Sequence, residues 1–220
     1  SFNSWPYVHR FYMFVRKDVE AQLWNRGGRL ALPEQAVELD PYAKGHKELK
    51  AALTWGQRGS EQGQFLDPRG IAVDADGNVY VAEGGTHRIQ KFDNDGKFLM
   101  ALGSQGNQPG QFQEPWGVAV DRLGNIYVAD TWNHRVQKFT ANGEFLLQWG
   151  SFVDTQGVLS NELTGLFWGP RSIALDSKGD VYVSDTGNKR VQVFDSTGNF
   201  VRQVGGVGAA PGQFEEPVGL

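Results

Sequence analysis

One block of sequence recurs along this chain, and its repetition limits the fold more than any other feature. Each copy is marked by a proline, with spacings of 47, 55 and 47 residues between Pro68, Pro115, Pro170 and Pro217. Gly-Gln-Phe precedes three of these prolines, and the longer spacing places an eight-residue insertion within residues 151–167. A chain with this periodicity folds from repeated supersecondary units that bury their apolar faces against one another.

Within each copy, four short runs of β-branched and aromatic residues alternate with turn residues. In the second copy these runs are 117–121, 126–129, 135–139 and 145–149. Asp and Gly lie between the first and second runs and between the third and fourth, where glycine supplies the positive φ of a tight turn. No run has the period of a helix. Four antiparallel strands, here called a to d, in each repeat of roughly 40–50 residues predict an all-β fold of the β-propeller type.

The repeats fill residues 51–220 unevenly. A lone strand d is predicted at 51–56, complete repeats at about 63–109, 110–165 and 166–211, and the start of another at 212–220. We therefore expect about three complete four-stranded blades plus partial blades, which is an incomplete ring. Open blade faces would expose apolar surface to water, so we expect a longer polypeptide that continues past Leu220. Closure by another chain is the alternative.

Residues 115–139 carry a specific pattern. They read Pro-Trp-Gly-Val-Ala-Val-Asp, then Gly-Asn-Ile-Tyr-Val-Ala-Asp-Thr-Trp-Asn-His-Arg-Val-Gln-Lys-Phe after two further residues, and they closely resemble the NHL repeat. Residues 68–92 depart from this pattern at 83–86, and residues 170–194 depart at Ser172 and Lys189. The resemblance covers about 56–220 and implies an NHL-type propeller with six blades when whole. It implies little about activity, because propellers host many functions.

The first 50 residues follow different rules, since only 3 of the 29 glycines precede residue 56. Residues 12–24 can form a helix with an apolar face, and residues 30–50 are typical of a linker. We expect a helical, aromatic segment on the flank of the propeller, with a juxtamembrane or interfacial element as the alternative. This stretch also resembles the soluble tail of bacterial multispanning glycosyltransferase-like proteins with NHL repeats. That resemblance implies an extracytoplasmic, membrane-associated location, with attachment through sequence outside this chain.

Composition argues against several function classes. The chain has 21 Lys and Arg against 25 Asp and Glu, so it lacks the basic excess of a general nucleic-acid binder, and we expect no nucleic-acid partner. It has no cysteine, which excludes a disulfide scaffold and a thiolate metal site. No Ser-His-Asp grouping, carboxylate pair or nucleophile elbow stands out. We therefore expect no catalytic residue, metal or cofactor in this portion.

The strand order separates acidic from basic residues. In a four-stranded meander the a–b and c–d turns, rich in aspartate, lie at one end. The b–c and d–a loops lie at the other, and we call that end the b–c/d–a face. It collects basic and aromatic side chains that suit partner binding. The candidate ligand- or partner-binding residues on this face are Arg69, Trp116, Arg171, Trp132, His87 and His134.

A carboxylate precedes an arginine by five residues in every repeat. The pairs are Glu83 with Arg88, Asp130 with Arg135, and Asp185 with Arg190. Because the pair recurs in each blade, we interpret it as a structural tie between the b–c loop and its neighbour.

These observations predict a non-catalytic binding or scaffold module whose b–c/d–a face binds a protein or glycan partner. The alternative is a metal-dependent propeller enzyme of the lyase or lactonase type, which needs a divalent metal in the channel. The resemblance to NHL proteins also implies RNA binding, which we place last because the repeat region is acidic.

Overall fold

The computed structural model describes residues 53–156 and 161–220. The predicted N-terminal helix, linker and flank packing lie outside these residues, as do the first two residues of the predicted lone strand d. Within the described ranges, residues 53–56 and 217–220 carry no strand assignment. No helix in the described part of the chain is long and apolar enough to cross a membrane.

Three four-stranded antiparallel sheets make up the described fold, and each is a meander in chain order. The first blade contains β1 (Pro68–Val73), β2 (Val79–Glu83), β3 (Arg88–Phe92) and β4 (Phe98–Leu102). The second contains β5 (Pro115–Val120), β6 (Ile126–Asp130), β7 (Arg135–Phe139) and β8 (Phe145–Trp149). The third contains β9 (Pro170–Leu175), β10 (Val181–Asp185), β11 (Arg190–Phe194) and β12 (Phe200–Gly205). The prediction of an all-β fold with three complete blades is confirmed.

Aspartates build the a–b turns from their own side chains. Oδ1 of Asp74 accepts hydrogen bonds from the backbone N–H groups of Asp76 and Asn78, at 3.0 and 2.9 Å. Its other oxygen accepts the Tyr80 hydroxyl proton at 3.1 Å, and Gly77 supplies a φ of 84°. The second blade repeats this arrangement at Asp121. These carboxylates therefore stabilise turns, as the repeated Asp-Gly pattern indicates.

The apolar core lies between the blades. One buried cluster joins the first and second blades around Phe112, and another joins the second and third around Phe167. Both phenylalanines follow a motif glycine in a d–a loop, and both are fully buried. The second blade thus contributes one face to each of these two interfaces, and its first strand lies between the first strands of the other two blades. Strand β5 lies beside β1 on one side and β9 on the other.

Candidate functional site

Three side chains from three blades stack on one another at the b–c/d–a face. The guanidinium carbon of Arg69 lies 4.5 Å from the ring centroid of Trp116, and that of Arg171 lies 4.3 Å from it. Because β5 lies between β1 and β9, the two guanidinium groups approach the indole from opposite sides. We call this arrangement the Arg-Trp-Arg stack. It brings together three residues that the sequence singled out one by one.

Two glycines permit this stacking. A Cβ atom at Gly70 would overlap the carbonyl oxygen of Trp116, and one at Gly117 would lie 2.7 Å from the carbonyl oxygen of Arg171. Neither glycine has a positive φ. Glycine is therefore required here by the close approach of the strands and not by the geometry of a turn. The backbones of adjacent first strands therefore touch at the residues that form the stack.

The two arginines of the stack differ in their surroundings. Nη1 of Arg171 donates to Oε1 of Glu216 at 2.6 Å, and its side chain is 22% exposed. Arg69 is exposed, and no residue of 53–156 or 161–220 forms an ion pair with it. The indole Nε1 of Trp116 is buried without a hydrogen-bond partner in the same ranges. Arg69 therefore carries an exposed charge that no described carboxylate neutralises, whereas the charge of Arg171 is paired.

An aromatic cluster lies at the junction of the second and third blades on the same face. Trp132 is 45% exposed and meets His134 edge to face, with ring centroids 6.3 Å apart. His134 lies 4.8 Å from Phe152, which in turn lies 6.3 Å from Trp168. Phe152 and Trp168 were not among the residues predicted from the sequence. Phe152, which is 57% exposed, was detectable because the matching positions of the other repeats carry Arg58, Gln105 and Val207.

His87 and His134 connect neighbouring blades. Nδ1 of His87 accepts a hydrogen bond from the backbone N–H of Glu114 at 3.0 Å, and Nδ1 of His134 accepts one from Gly169 at 3.1 Å. The backbone of both histidines has the left-handed conformation, with φ of 54° and 55°. Burial lowers the pKa of His134 against the opposing charge of Asp130, which suits a neutral ring that accepts at Nδ1. One nitrogen of each imidazole is therefore engaged within the fold.

The repeated carboxylate–arginine pairs are buried. Nε of Arg135 donates to Asp130 at 2.8 Å, and Nε of Arg190 donates to Asp185 at the same distance. Arg190 is fully buried and also donates to the carbonyl groups of Leu163 and Leu166 in the preceding d–a loop. Burial raises the pKa of Asp130 and Asp185, while the donors around each carboxylate oppose that shift.

In the first blade, Glu83 occupies the place of the aspartate. Its Oε1 accepts from Nε of Arg88 at 2.9 Å, and Arg88 donates to three carbonyl groups of residues 60–64. Each pair thus holds a blade to the loop that enters it. The carboxylates of all three pairs are enclosed by donors from the fold.

The separation of charge between the two ends is incomplete. Asp67, Glu114 and Glu216 precede repeat prolines, so carboxylates also lie on the d–a loops next to the stack. Among the residues that the structure describes, no group of three or more His, Asp or Glu side chains could hold a metal ion. What the face offers is a short row of two cations around one indole, flanked by acidic loops and an aromatic cluster.

Known proteins resemble this chain at the level of repeats and fold. Residues 65–92, 112–139 and 167–194 match the NHL repeat. The B-box type zinc finger protein ncl-1 of Caenorhabditis elegans is 46% identical over 44 residues, which are 20% of this chain and 5% of that protein. The RING finger protein nhl-1 of the same animal is 51% identical over 51 residues, or 23% and 5% of the two chains. These matches span a small part of the relatives.

A solved structure of a streptogramin B lyase superposes with a TM-score of 0.51 at 16% identity. The superposition covers 70% of this chain and 44% of that one, and at this identity the likeness shows the fold alone. The repeat matches fall on the three blades described above, each from the d–a loop phenylalanine to the end of strand c. Residues 65–194 therefore belong to the NHL-repeat family, and they form three blades of the β-propeller type.

Proposed function

We propose that residues 51–220 form a non-catalytic binding module whose b–c/d–a face holds a protein or glycan partner. The observation that carries this proposal is the Arg-Trp-Arg stack. Its three members come from three blades, and the exposed guanidinium of Arg69 forms no ion pair with any described carboxylate. Arginine and tryptophan are also the residue types that dominate the energy of protein interfaces.

The aromatic cluster supports the same face. Trp132 and Phe152 expose 45% and 57% of their surface, although large aromatic rings are usually covered in a folded domain. Such rings bury large areas when a partner docks. A face with both cations and exposed rings therefore suits macromolecular binding.

Catalysis is the weaker alternative. The buried carboxylates Glu83, Asp130 and Asp185 are enclosed by donors, and the likeness to a lyase concerns the fold alone. The predicted exclusion of nucleic acid rests on net charge and conflicts with the RNA binding that NHL resemblance implies. RNA is therefore a competing ligand for this face. Attachment to a membrane enzyme remains a prediction from residues 1–50, which lie outside the described residues.

Partner capture tests the choice of face. The immobilised full chain is used to isolate a partner from an extract of its source cells, and the dissociation constant is then measured with the purified partner. We expect the combined variant R69A/W116A/R171A/W132A to weaken binding by more than roughly tenfold, as loss of interface anchors does. Thermal unfolding of each variant checks that the fold is retained.

A matched control lies at the opposite end of the blades. Arg122, Leu123 and Lys178 are exposed residues of the a–b turns, so the variant R122A/L123A/K178A removes two cations and one large apolar side chain there. We expect it to bind as the unsubstituted chain does. Undiminished binding by the combined stack variant would show that the partner uses another surface.

A further inference from the structure

We infer that the Arg-Trp-Arg stack is a carboxylate-binding site and that the partner inserts an acidic protein segment at Arg69. This inference rests on the proposed function, since it names the chemistry of a partner at the same face. Four observations support it: the covered faces of Trp116, the ion pair at Arg171, the unpaired charge at Arg69, and the acidic loops nearby.

Trp116 has no open face to offer to a sugar ring or a nucleobase. Stacking ligands lie flat on an exposed aromatic face, but guanidinium groups cover the indole from both sides at 4.5 and 4.3 Å. The indole Nε1 is buried as well, so it cannot donate outward. The indole therefore holds two cations in fixed positions, and their N–H edges are the groups left for a ligand.

The chain itself places a carboxylate on the stack. Oε1 of Glu216 accepts from Nη1 of Arg171 at 2.6 Å, although the Glu216 side chain remains 60% exposed. Guanidinium groups bind carboxylates by short, charge-assisted hydrogen bonds. The Arg171–Glu216 pair is thus an internal example of the contact that we assign to the partner.

No corresponding pair forms at Arg69. Glu114, in the d–a loop after the first blade, matches Glu216 in the loop after the third blade, yet no described carboxylate forms an ion pair with Arg69. The backbone N–H of Glu114 donates to Nδ1 of His87, and the backbone of Glu114 has the left-handed conformation, with a φ of 49°. In the third blade Lys189 replaces the histidine, and a lysine ammonium group cannot accept that hydrogen bond.

The charge at Arg69 is therefore left for a ligand. A second guanidinium lies on the other side of the indole, about 9 Å away or less, and like charges at this distance repel one another. An anion at Arg69 would reduce that repulsion. Among the described residues Arg69 is exposed, so an anion can reach it there without rearrangement of the three blades.

The neighbouring acidic residues favour a protein segment over RNA. A bound RNA strand carries one phosphate per nucleotide and needs a continuous row of cations. Here the d–a loops of this face carry Asp67, Glu114 and Glu216 as well as the arginines, so a polyphosphate along the face would also meet carboxylates. A peptide can place a single glutamate or aspartate at Arg69 and present neutral residues to the acidic loops.

The test uses the full chain and four labelled probes at low ionic strength. They are a peptide with Glu spaced by Gly, its Gln counterpart, an oligouridylate with as many charges as the Glu peptide, and a chitooligosaccharide. Binding is measured by fluorescence anisotropy. We expect the Glu peptide to bind, and we expect R69A to weaken it by roughly tenfold or more, as loss of a charge-assisted contact does.

Two variants separate the carboxylate contact from nonspecific charge. E216Q removes the internal competitor at Arg171, so we expect it to strengthen binding of the Glu peptide severalfold. R122A removes one exposed cation from the opposite end, and we expect it to leave binding unchanged. Thermal unfolding provides the check on folding for each variant.

The outcomes distinguish this inference from the proposed function. The oligouridylate or the oligosaccharide could bind more tightly than the Glu peptide, in a manner that depends on Arg69. That result would overturn the assignment of an acidic peptide as the ligand but would still support the b–c/d–a face as the binding surface. Glu-peptide binding that is unchanged in R69A, or weakened by E216Q, would overturn the carboxylate site at the stack. If the isolated partner also binds the stack variants as tightly as it binds the unsubstituted chain, the proposed face is wrong as well.

Discussion

Single residues hold the b–c loops of neighbouring blades in place, and His134 shows how. Its Nδ1 accepts the backbone N–H of Gly169, across the boundary between the second and third blades. Only a neutral imidazole has an acceptor nitrogen. The residue must also tolerate a φ of 55°, which histidine, asparagine and aspartate do better than most residues. The contact between blades therefore depends on a group that loses its acceptor when it is protonated.

This dependence predicts a loss of stability on mild acidification. Burial lowers the pKa of His134 below its ordinary 6.5, so the folded chain takes up this proton less readily than the unfolded chain does. The stabilisation is complete above about pH 6.5 and declines as the pH falls through the lowered pKa. Loss of one neutral hydrogen bond costs on the order of 1 kcal/mol.

Urea unfolding of the full chain at a series of pH values measures this effect. The H134N variant keeps an acceptor and tolerates the left-handed backbone but does not titrate, so we expect a smaller decline in its free energy of unfolding over that window. An equal decline in both proteins would assign the pH dependence to other groups.

At the scale of strands, glycine controls how closely β5 and β9 approach. We expect G117A to weaken both the fold and partner binding, because its Cβ would lie 2.7 Å from the carbonyl oxygen of Arg171 and 3.1 Å from the backbone nitrogen of Ile173. Overpacking of this kind typically costs about 1–3 kcal/mol. Separation of these strands would also draw Trp116 away from Arg171. Urea unfolding and partner binding are the two measurements.

Ser172 provides the matched control, since it occupies the same position of the third repeat. We expect S172A to leave partner binding unchanged and to alter the free energy of unfolding by less than G117A does. If G117A unfolds at the same urea concentration as the unsubstituted chain, the strands have room for a methyl group and the close approach is not required.

Strands and turns were predictable from sequence because each depends on local patterns. A short apolar run between turn residues places β6, and Asp-Gly pairs place the turns before β2 and β4. The residues of the stack could also be named, since they vary where the repeats otherwise agree. Their mutual contact could not, because it arises between blades and depends on the approach at Gly70 and Gly117. Phe152 was missed for a similar reason, since its partners His134 and Trp168 are brought together only by blade packing.

For the molecule as a whole, the blades are stabilised mainly through the faces that they share. Ile173 of the third blade is 6% exposed because it packs against the second blade, whereas Ile71, at the same position of the first blade, is 68% exposed. The two residues have the same chemistry and the same place in the repeat. Their contributions to the free energy of unfolding should therefore differ only because a neighbouring blade packs on Ile173 and none of the described blades packs on Ile71.

A pair of matched substitutions measures what that neighbour contributes. We expect I173T to lower the free energy of unfolding by about 1–3 kcal/mol, since it buries a hydroxyl group in an apolar interface and removes apolar contact. I71T places the same hydroxyl group in water, so we expect a change within about 0.5 kcal/mol. Urea unfolding of the two variants gives the comparison directly. Equal losses would mean that Ile71 is covered in solution, because only a covered position can make the two substitutions equivalent.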